Sequence, residues 1–261
     1  MKILVSNDDG IGAPGLDALI RALCSKHTVY VVAPSGPQSA VSRSVTLFRP
    51  LHAERRTLPA FPDVWAYAVD GTPVDCVRLA LGNLLPEPVD LCITGINFGY
   101  NVGTDTLYSG TAAAAIEAAT DGVIAVAMSC GIEQRGAYWE TSADVALKMA
   151  DFAVRHPLPR GAFYNVNVPD IAPKQLHGVR PAKLSPVPYD LRYTETLGED
   201  GRTEYTTPWV RPSEQSDDTD CSLVYAGYAA VSVLTYDNEH NELIDAVPAK
   251  EWALLGGGRC G

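Results

Sequence analysis

The chain has 261 residues, 46% of them apolar and 20% charged, which suits one α/β domain with an appendage or two small domains. Its formal net charge of −11 argues against polymeric nucleic acid and acidic membranes as partners, because both are themselves negatively charged. An anionic small substrate stays compatible, provided that a metal, an arginine or a helix N-terminus supplies local positive charge.

The start of the chain and its cysteines indicate where the protein works. The opening MKILVSNDDG has too short an apolar run for a signal peptide, and no window of about 18 apolar residues predicts a membrane span. The six cysteines form no CxxC pair, and Cys76, Cys92 and Cys130 lie in apolar runs typical of reduced core thiols. We therefore expect a soluble cytoplasmic protein.

Strand and helix patterns alternate over the first 155 residues. We predict strands at 2–6, 28–33, 64–69, 91–94 and 123–129, and helices that begin at Pro14, Pro73, Gly110 and Ser142. Thr72 can cap the helix at Pro73, with Asp75 completing a capping box. This alternation predicts a parallel sheet with helices on both faces.

The pattern changes after residue 163. The stretches FYNVNV and SLVYAGYAAVSVL are strand-like and have no helix between them. Residues 185–220 are polar and contain prolines, which predicts an excursion or arm. We therefore divide the chain into a core at 1–180 and an arm with a C-terminal extension at 181–261.

Unusual polar residues follow three of the predicted strands. Asp8 and Asp9 follow the first strand, residues 34–44 follow the second, and residues 95–109 form a Gly-rich loop after the fourth. The carboxyl ends of parallel strands share one edge of a sheet, and α/β proteins bind ligands there. Three segments that are distant in sequence are therefore expected at one place.

Asp8 and Asp9 are adjacent carboxylates, and a divalent cation would relieve their mutual repulsion. Oxygen ligands favour Mg²⁺, Mn²⁺ or Ca²⁺ over a thiolate-binding metal. A plain turn explains the pair about equally well, because Asp-Gly is a common turn sequence. In the second segment Ser39 offers a hydroxyl ligand and Arg43 a partner for phosphate, although an ordinary polar loop better explains that segment alone.

The Gly-rich loop offers ligands for both a cation and an anion. Asn97 can present an amide oxygen to a cation, and Asn101 an amide donor to an oxyanion. Ser109, Gly110 and Thr111 open a helix whose unpaired N–H groups and dipole favour an anion. Long loops in compact domains are often functional, yet ordinary helix capping explains the same residues. No GK[ST] follows, so this is not a P-loop.

Asp105 lies in the same loop, where it suits a general acid, a carboxylate that orients a ligand, or a solvated turn residue. The five histidines all lie outside the three segments. Their absence there argues against a His-rich zinc site and a Ser-His-Asp hydrolase, and no G-x-S-x-G motif occurs.

Six blocks of the sequence resemble the stationary-phase survival protein SurE family, a family of metal-dependent 5′/3′-nucleotidases. They are ILVSNDDGIGAPGLDAL at 3–19, APSGPQSAVSRSVT at 33–46, GTPVDCVRLAL at 71–81, TGINFGYNVGTDTLYSGTAAAAIEA at 94–118, NVNVP at 165–169 and GYAAVSVL at 227–234. The blocks span most of the chain, and the first and fourth are long and specific.

The resemblance implies a Rossmann-like, doubly wound, mostly parallel sheet with a C-terminal β-hairpin extension exchanged between subunits of a homodimer or homotetramer. It implies one divalent metal ion, Mg²⁺ or Mn²⁺, held by Asp8, Asp9, Ser39 and Asn97. It also implies a nucleoside monophosphate substrate, whose phosphate binds near Asn101, Ser109, Gly110 and Thr111.

Some positions depart from the family pattern. Ala40 stands where the family usually has glycine, and Ala113 also replaces a usual residue. Some members carry a histidine thought to aid the leaving group where this chain has Thr235, with Asp237 and His240 beyond it. Residues 185–218 resemble the family's variable arm only loosely, which leaves base preference and 5′ versus 3′ preference open.

Residues and resemblance together predict a phosphomonoesterase that attacks nucleoside monophosphates with metal-activated water. Asp8, beside Asp9, is expected to orient or deprotonate that water, or to serve only as a ligand. Asn101, Arg43 and the helix start at Ser109 would bind the phosphate. The alternatives are a broader phosphatase or exopolyphosphatase, and a nucleotide-binding module without turnover.

Overall fold

A computed structural model describes residues 1–136, 138–186, 193–198, 200–206 and 216–235. Its strands are β1 (Lys2–Ser6), β2 (Thr28–Pro34), β3 (Ala53–Leu58), β4 (Phe61–Val69), β5 (Leu91–Phe98), β6 (Ile124–Cys130), β7 (Ala162–Val168), β8 (Val179–Pro181), β9 (Thr194–Leu197), β10 (Thr203–Thr206) and β11 (Ala229–Thr235). Its α-helices are α1 (Pro14–Leu23), α2 (Pro73–Leu79), α3 (Gly110–Thr120), α4 (Trp139–Arg155) and α5 (Asp220–Tyr225). A π-helical turn at Ala80–Leu84 and 3₁₀ turns at Gly103–Leu107 and Pro173–Gln175 complete the described elements.

The main sheet has nine strands in the order β3-β4-β2-β1-β5-β6-β7-β11-β8. The strands from β4 to β7 in that order run parallel, whereas β3 and β11 are antiparallel to their neighbours β4 and β7. The chain moves outward in one direction from β1 to β2 and in the other from β5 onward. The topological switch point therefore lies between β1 and β5, where open α/β sheets form their ligand crevice.

Apolar strands and amphipathic helices explain the layers. Ile3, Leu4 and Val5 in β1 are completely buried, as expected of a central parallel strand covered on both faces. One core cluster packs α1 and α4 against the sheet, and a second packs α2 and α3 against it. The predicted fold class, a Rossmann-like doubly wound sheet, is thereby confirmed.

The start of α2 forms as the sequence predicts. The Thr72 hydroxyl accepts a hydrogen bond from the Asp75 backbone N–H at 3.2 Å, and Asp75 accepts one from the Thr72 N–H at 3.0 Å. Pro73 occupies the first turn, where its missing N–H costs nothing. Asp75 also accepts from the backbone and hydroxyl of Thr46, which anchors the segment after β2.

Several predicted boundaries are wrong. Strand β5 continues through Phe98, so the loop predicted from residue 95 begins four residues later. The edge strand β3 was not predicted, because the exposed AERRT pattern lacks the alternation of a half-buried strand. The first four residues of SLVYAGYAAVSVL belong to helix α5, which the Thr219 side chain caps by accepting from the Ser222 N–H at 3.2 Å. Short apolar runs suit a buried helix as well as a strand, which explains this error.

Strand β11 lies in the main sheet between β7 and β8, although it follows the predicted boundary at residue 180. Within the predicted arm, β9 and β10 form an antiparallel hairpin outside the main sheet. Residues 236–261, which include most of the predicted C-terminal extension, lie outside the described residues. The division of the chain at residue 180 stays a prediction.

Cys76, Cys92 and Cys130 are buried and unpaired, as the apolar runs around them predict. Burial raises the pKa of the Cys92 and Cys130 thiols to about 12, so neither is a nucleophile at neutral pH. In the part of the chain that the structure describes, no helix is both long and apolar enough to span a bilayer.

Candidate active site at the carboxyl edge of the sheet

The turn after β1 presents the two adjacent carboxylates. The Asn7 amide closes this turn by donating to the Gly10 carbonyl at 2.9 Å and accepting from the Gly10 N–H at 3.2 Å. Gly10 has a φ of +98°, and a β-carbon there would lie 3.0 Å from the Gly36 carbonyl carbon. Glycine is therefore required, and the Asp-Gly turn is a structural feature that also carries the candidate ligands.

Asp8 is 5% exposed and sits against the N-terminus of α3. Its carboxylate accepts a hydrogen bond from the Thr111 hydroxyl. Burial raises the pKa of the Asp8 carboxyl to about 6, although the Thr111 hydroxyl opposes this shift and the Asp9 charge adds to it. A nearby cation would stabilise the charged form of this carboxylate, which burial disfavours.

Asp9 is half-buried beside the end of β5. Its carboxylate accepts from the Phe98 N–H at 3.0 Å, and burial raises the pKa of this carboxyl as well. Asn97, the residue before Phe98, donates its amide N–H to the Gly99 carbonyl at 2.9 Å. The amide oxygen of Asn97 is therefore the atom suited to a cation.

The segment after β2 packs directly on the carboxylate turn. The Gln38 N–H donates to the Asp8 carbonyl at 2.7 Å, and the Ser42 hydroxyl donates to the Leu107 carbonyl at 2.8 Å. Ser39 is exposed and follows Gln38, so its backbone adjoins the carboxylates, while its role as a ligand stays a prediction. Ala40 has a φ of +55°, in the left-handed region that favours glycine, the residue that the resemblance leads one to expect at this position.

The Arg43 guanidinium pairs with Glu117 at 3.4 Å. Glu117 lies seven residues after Gly110, which is about 10 Å along the axis of α3. The exposed Arg43 side chain is thus directed away from the start of this helix. The predicted contact between Arg43 and phosphate requires this ion pair to open, and it stays a prediction.

The start of α3 faces the carboxylates. The Ser109 hydroxyl caps the helix by accepting from the Ala112 N–H at 3.0 Å. A β-carbon on Gly110 would lie 2.9 Å from Cβ of Asp8, so only glycine lets the helix approach this closely. The partial positive charge of the helix N-terminus therefore lies beside Asp8, where it is available to an anion and to the carboxylate.

Asn101 belongs to a buried polar network that the sequence analysis missed in part. Its amide N–H donates to the Ser129 hydroxyl at 2.8 Å, and its backbone N–H donates to Asn167 Oδ1 at 2.7 Å. Asn165 and Asn167 both donate to the Asn101 carbonyl, at 2.9 and 3.0 Å. The sequence did contain a signal for this network, namely the alternating asparagines of NVNV in an otherwise apolar strand. Phosphate binding by Asn101 would use its second amide hydrogen and stays a prediction.

Asp105 lies in the 3₁₀ turn that precedes α3, where its carbonyl accepts from the Tyr108 and Ser109 N–H groups at 3.0 and 3.1 Å. Burial raises the pKa of its carboxyl to about 6, and the charge of Asp220 adds to this shift. Asp220 itself anchors the loop by accepting from the Gly103 N–H at 2.8 Å. The role of Asp105 as an acid stays a prediction.

Comparison with known proteins identifies the family. A family model described as Survival protein SurE matches residues 3–190. This chain belongs to the SurE family. The 5′-nucleotidase SurE of Heliobacterium modesticaldum is 38% identical over 259 residues, which cover 99% of this chain and 93% of that protein. The 5′-nucleotidase SurE of Moorella thermoacetica is 38% identical over 238 residues, or 91% of each chain.

A solved structure supports the same assignment. The crystal structure of the SurE protein from Aquifex aeolicus aligns with a TM-score of 0.83 and 30% sequence identity. The alignment covers 96% of this chain and 100% of that chain. The resemblance inferred from six sequence blocks is therefore confirmed for both family and fold.

Thr235, which the resemblance aligned with a histidine of some family members, lies far from the carboxylates of its own chain. It pairs with Ala162 at the start of β7, and β7 runs parallel to β1. Thr235 is therefore at the amino edge of the sheet, a strand length of about 20 Å from the edge that carries Asp8. Asp237 and His240 lie outside the described residues.

The residues at the carboxyl edge fit the metal expected of a SurE protein. Asp8 and Asp9 are adjacent carboxylates whose burial penalises the charged form. Asn97 and Ser39, which have neutral oxygens, each adjoin in sequence a residue whose N–H binds this pair, Phe98 and Gln38. Among the described residues, no group of three His, Cys, Asp or Glu side chains could hold a metal, so neutral oxygens must complete any such site. A donor set made only of oxygen suits Mg²⁺ or Mn²⁺.

Proposed function

We propose that this chain is a metal-dependent 5′-nucleotidase that releases phosphate from nucleoside 5′-monophosphates, with 3′-monophosphates as a second substrate class. Relatives named 5′-nucleotidase SurE match nearly the whole chain and support the phosphatase activity. The observation that carries the proposal is the buried Asp8 carboxylate, which lies next to Asp9 and against the N-terminus of α3. This arrangement places carboxylate ligands for a cation beside a helix N-terminus that can bind an anion.

The metal would be a single Mg²⁺ or Mn²⁺ held by Asp8, Asp9, Ser39 and Asn97. A bound divalent cation supplies positive charge to the phosphoryl oxygens and activates water. The Phe98 N–H fixes one oxygen of Asp9, and the Thr111 hydroxyl fixes one oxygen of Asp8. Both carboxylates are thereby held in place before a ligand arrives, which reduces the ordering cost of binding.

The phosphate would bind at the N-terminus of α3. The Ser109 hydroxyl and the backbone N–H groups of Gly110 and Thr111, aided by the helix dipole and by Asn101, would stabilise charge on the phosphoryl oxygens. Asp8 would orient the attacking water or accept its proton. Arg43 would add a further positive charge after it leaves Glu117.

We also propose that the protein is cytoplasmic and that its subunits form a homodimer or homotetramer through the C-terminal extension. The high net negative charge supports a small substrate rather than a polymeric nucleic acid or a membrane.

A substrate panel with and without chelator tests the function. We expect phosphate release from AMP and GMP, its loss in excess EDTA, and its return with Mn²⁺ or Mg²⁺. Full activity in excess EDTA would refute the metal requirement. Faster release from polyphosphate than from nucleotides would favour a broad phosphatase or exopolyphosphatase. Tight AMP binding without release in the presence of metal would favour a nucleotide-binding module.

A further inference from the structure

A cavity of about 500 Å³ opens beside the carboxylate pair. Asp9 forms part of its wall, together with Phe98, Arg135 and Trp139. Cavities of roughly 300–1,000 Å³ with mostly apolar walls and a few polar groups are typical small-molecule sites. The mechanism proposed above uses Asp9 but leaves the rest of this cavity without a role.

Phe98 and Trp139 form an aromatic corner in this cavity. Their ring centroids are 6.0 Å apart with the planes tilted by 49°. Phe98 is the last residue of β5 and is 46% exposed, while its backbone N–H contacts Asp9. Packing in the core does not explain a large exposed aromatic ring beside a candidate metal ligand. A flat ring that leaves one face open suits the stacking of another planar group.

The indole of Trp139 packs against two glycines. A β-carbon on Gly136 would lie 2.8 Å from its Nε1, and one on Gly15 would lie 3.0 Å from its Cζ3. Both glycines therefore permit close contact with the indole ring. This side of the cavity is built before any ligand binds.

The buried carboxylate of Asp170 anchors the loop around Arg135, a residue that lines this side of the cavity. Asp170 is completely buried and accepts hydrogen bonds from the N–H groups of Gln134 at 3.0 Å, Gly136 at 2.7 Å and Tyr138 at 2.9 Å. Arg135 lies between the first two donors, with a φ of +57°. Among the residues that the structure describes, Arg135 is the one positively charged residue that lines the cavity, and guanidinium groups donate to the ring nitrogens and oxygens of purines.

We propose that this cavity is the base subsite, in which a purine ring stacks on Phe98 within the corner closed by Trp139. Arg135 donates to acceptors on the edge of the purine. The subsite rests on the proposed function, because it continues from the carboxylates that would receive the phosphate of the same nucleotide. A purine covers more of an aromatic face than a pyrimidine does, so the corner favours AMP over CMP.

Substitution of Phe98 tests the stacking. We expect Phe98→Ala to lower the ratio of kcat/KM for AMP to that for β-glycerol phosphate by about tenfold, mainly through KM, and to reduce the preference for AMP over CMP. Phe98→Leu keeps apolar volume but lacks a flat ring, so it should lower the ratio almost as much. Phe48→Ala is the matched control, because Phe48 is 99% exposed and lies outside the cavity. If Phe98→Leu kept the wild-type ratio of kcat/KM for AMP to that for β-glycerol phosphate, stacking on Phe98 would be refuted.

Binding of adenosine separates this subsite from the proposed hydrolysis, because adenosine has no phosphate. By calorimetry we expect adenosine to bind the wild type and Phe48→Ala equally, and Phe98→Ala about tenfold more weakly. If this pattern appears but no nucleotide is hydrolysed, the proposed function fails and the base subsite stands. If AMP is hydrolysed but neither adenosine affinity nor the AMP ratio depends on Phe98, the base subsite is refuted.

Discussion

Asp8→Asn is expected to lower kcat/KM for AMP by about a thousandfold, in the range seen when a principal charge-stabilising group is removed from an active site. The substitution keeps the shape of the side chain and an oxygen that can accept the Thr111 hydrogen bond. It removes the negative charge that would hold the cation and orient water. The loss should therefore appear without a loss of folding.

The same substitution should stabilise the metal-free protein at high pH. Burial raises the pKa of Asp8 from 3.8 to about 6, so the folded state holds the proton more tightly than the unfolded state does. The contribution of Asp8 to stability is therefore fully present below about pH 4 and is lost as the pH rises through about 6, a change of up to about 3 kcal/mol. Asn has no such penalty, so the variant should unfold at a higher temperature than the wild type at pH 8 in EDTA.

Thermal unfolding in EDTA at pH 4.5 and pH 8, together with AMP kinetics in Mn²⁺, measures both effects. Asp63→Asn is the control, because Asp63 is an exposed carboxylate near the start of β4 and far from this edge. A variant at Asp8 that is less stable than wild type at pH 8 would contradict the electrostatic explanation. Unchanged AMP turnover would contradict the catalytic one.

Gly15→Ala is expected to destabilise the fold by about 3 kcal/mol, the upper end of the usual cost of overpacking. Gly15 lies in the first turn of α1, where the helix crosses β5. A β-carbon there would overlap the Ile96 carbonyl oxygen and touch the Trp139 ring at 3.0 Å. Because the overlap is with backbone, no rotamer change relieves it, and α1 must move away from the sheet. Urea unfolding at pH 7 measures the loss.

Gly12→Ala provides the matched control three residues away. A β-carbon on Gly12 meets no heavy atom within 4 Å, so this variant should stay within about 0.5 kcal/mol of wild type. Equal stability of the two variants would show that the close contact between α1 and β5 does not constrain this fold.

The meeting of the three candidate segments could be predicted because it depends on strand order rather than on side-chain detail. Asp8 and the loop after β2 follow strands, Asn97 lies at the end of β5, and parallel strands that alternate with helices must end at one edge. The hydrogen bonds from Gln38 to Asp8 and from Phe98 to Asp9 show that these segments meet. The alternation predicted this meeting without any knowledge of the family.

The extent of β5 could not be read from the sequence in the same way. Gly95 looks like the start of a loop, yet a β-carbon there would overlap the Met128 carbonyl oxygen of the neighbouring β6. Glycine is present because two strands approach closely, not because the strand ends. Local composition does not distinguish these two uses of glycine.

Contacts made by long side chains also could not be predicted from the sequence. Arg43 lies in the expected segment, but its guanidinium extends to Glu117 rather than to the start of α3. Phe98 and Trp139 are 41 positions apart, and only the packing of α4 on the sheet brings their rings together. Patterns of residue type fix the backbone path, whereas these contacts depend on tertiary packing.

Titration of Mn²⁺ into the metal-stripped protein, followed by calorimetry and by phosphate release from AMP, tests the central claim most directly. We predict one Mn²⁺ per chain in the wild type and in Asp63→Asn, phosphate release that rises in proportion to occupancy, and loss of both in Asp8→Asn. Wild-type Mn²⁺ binding by Asp8→Asn, or phosphate release that does not follow occupancy, would contradict a metal-dependent site at the Asp8–Asp9 pair.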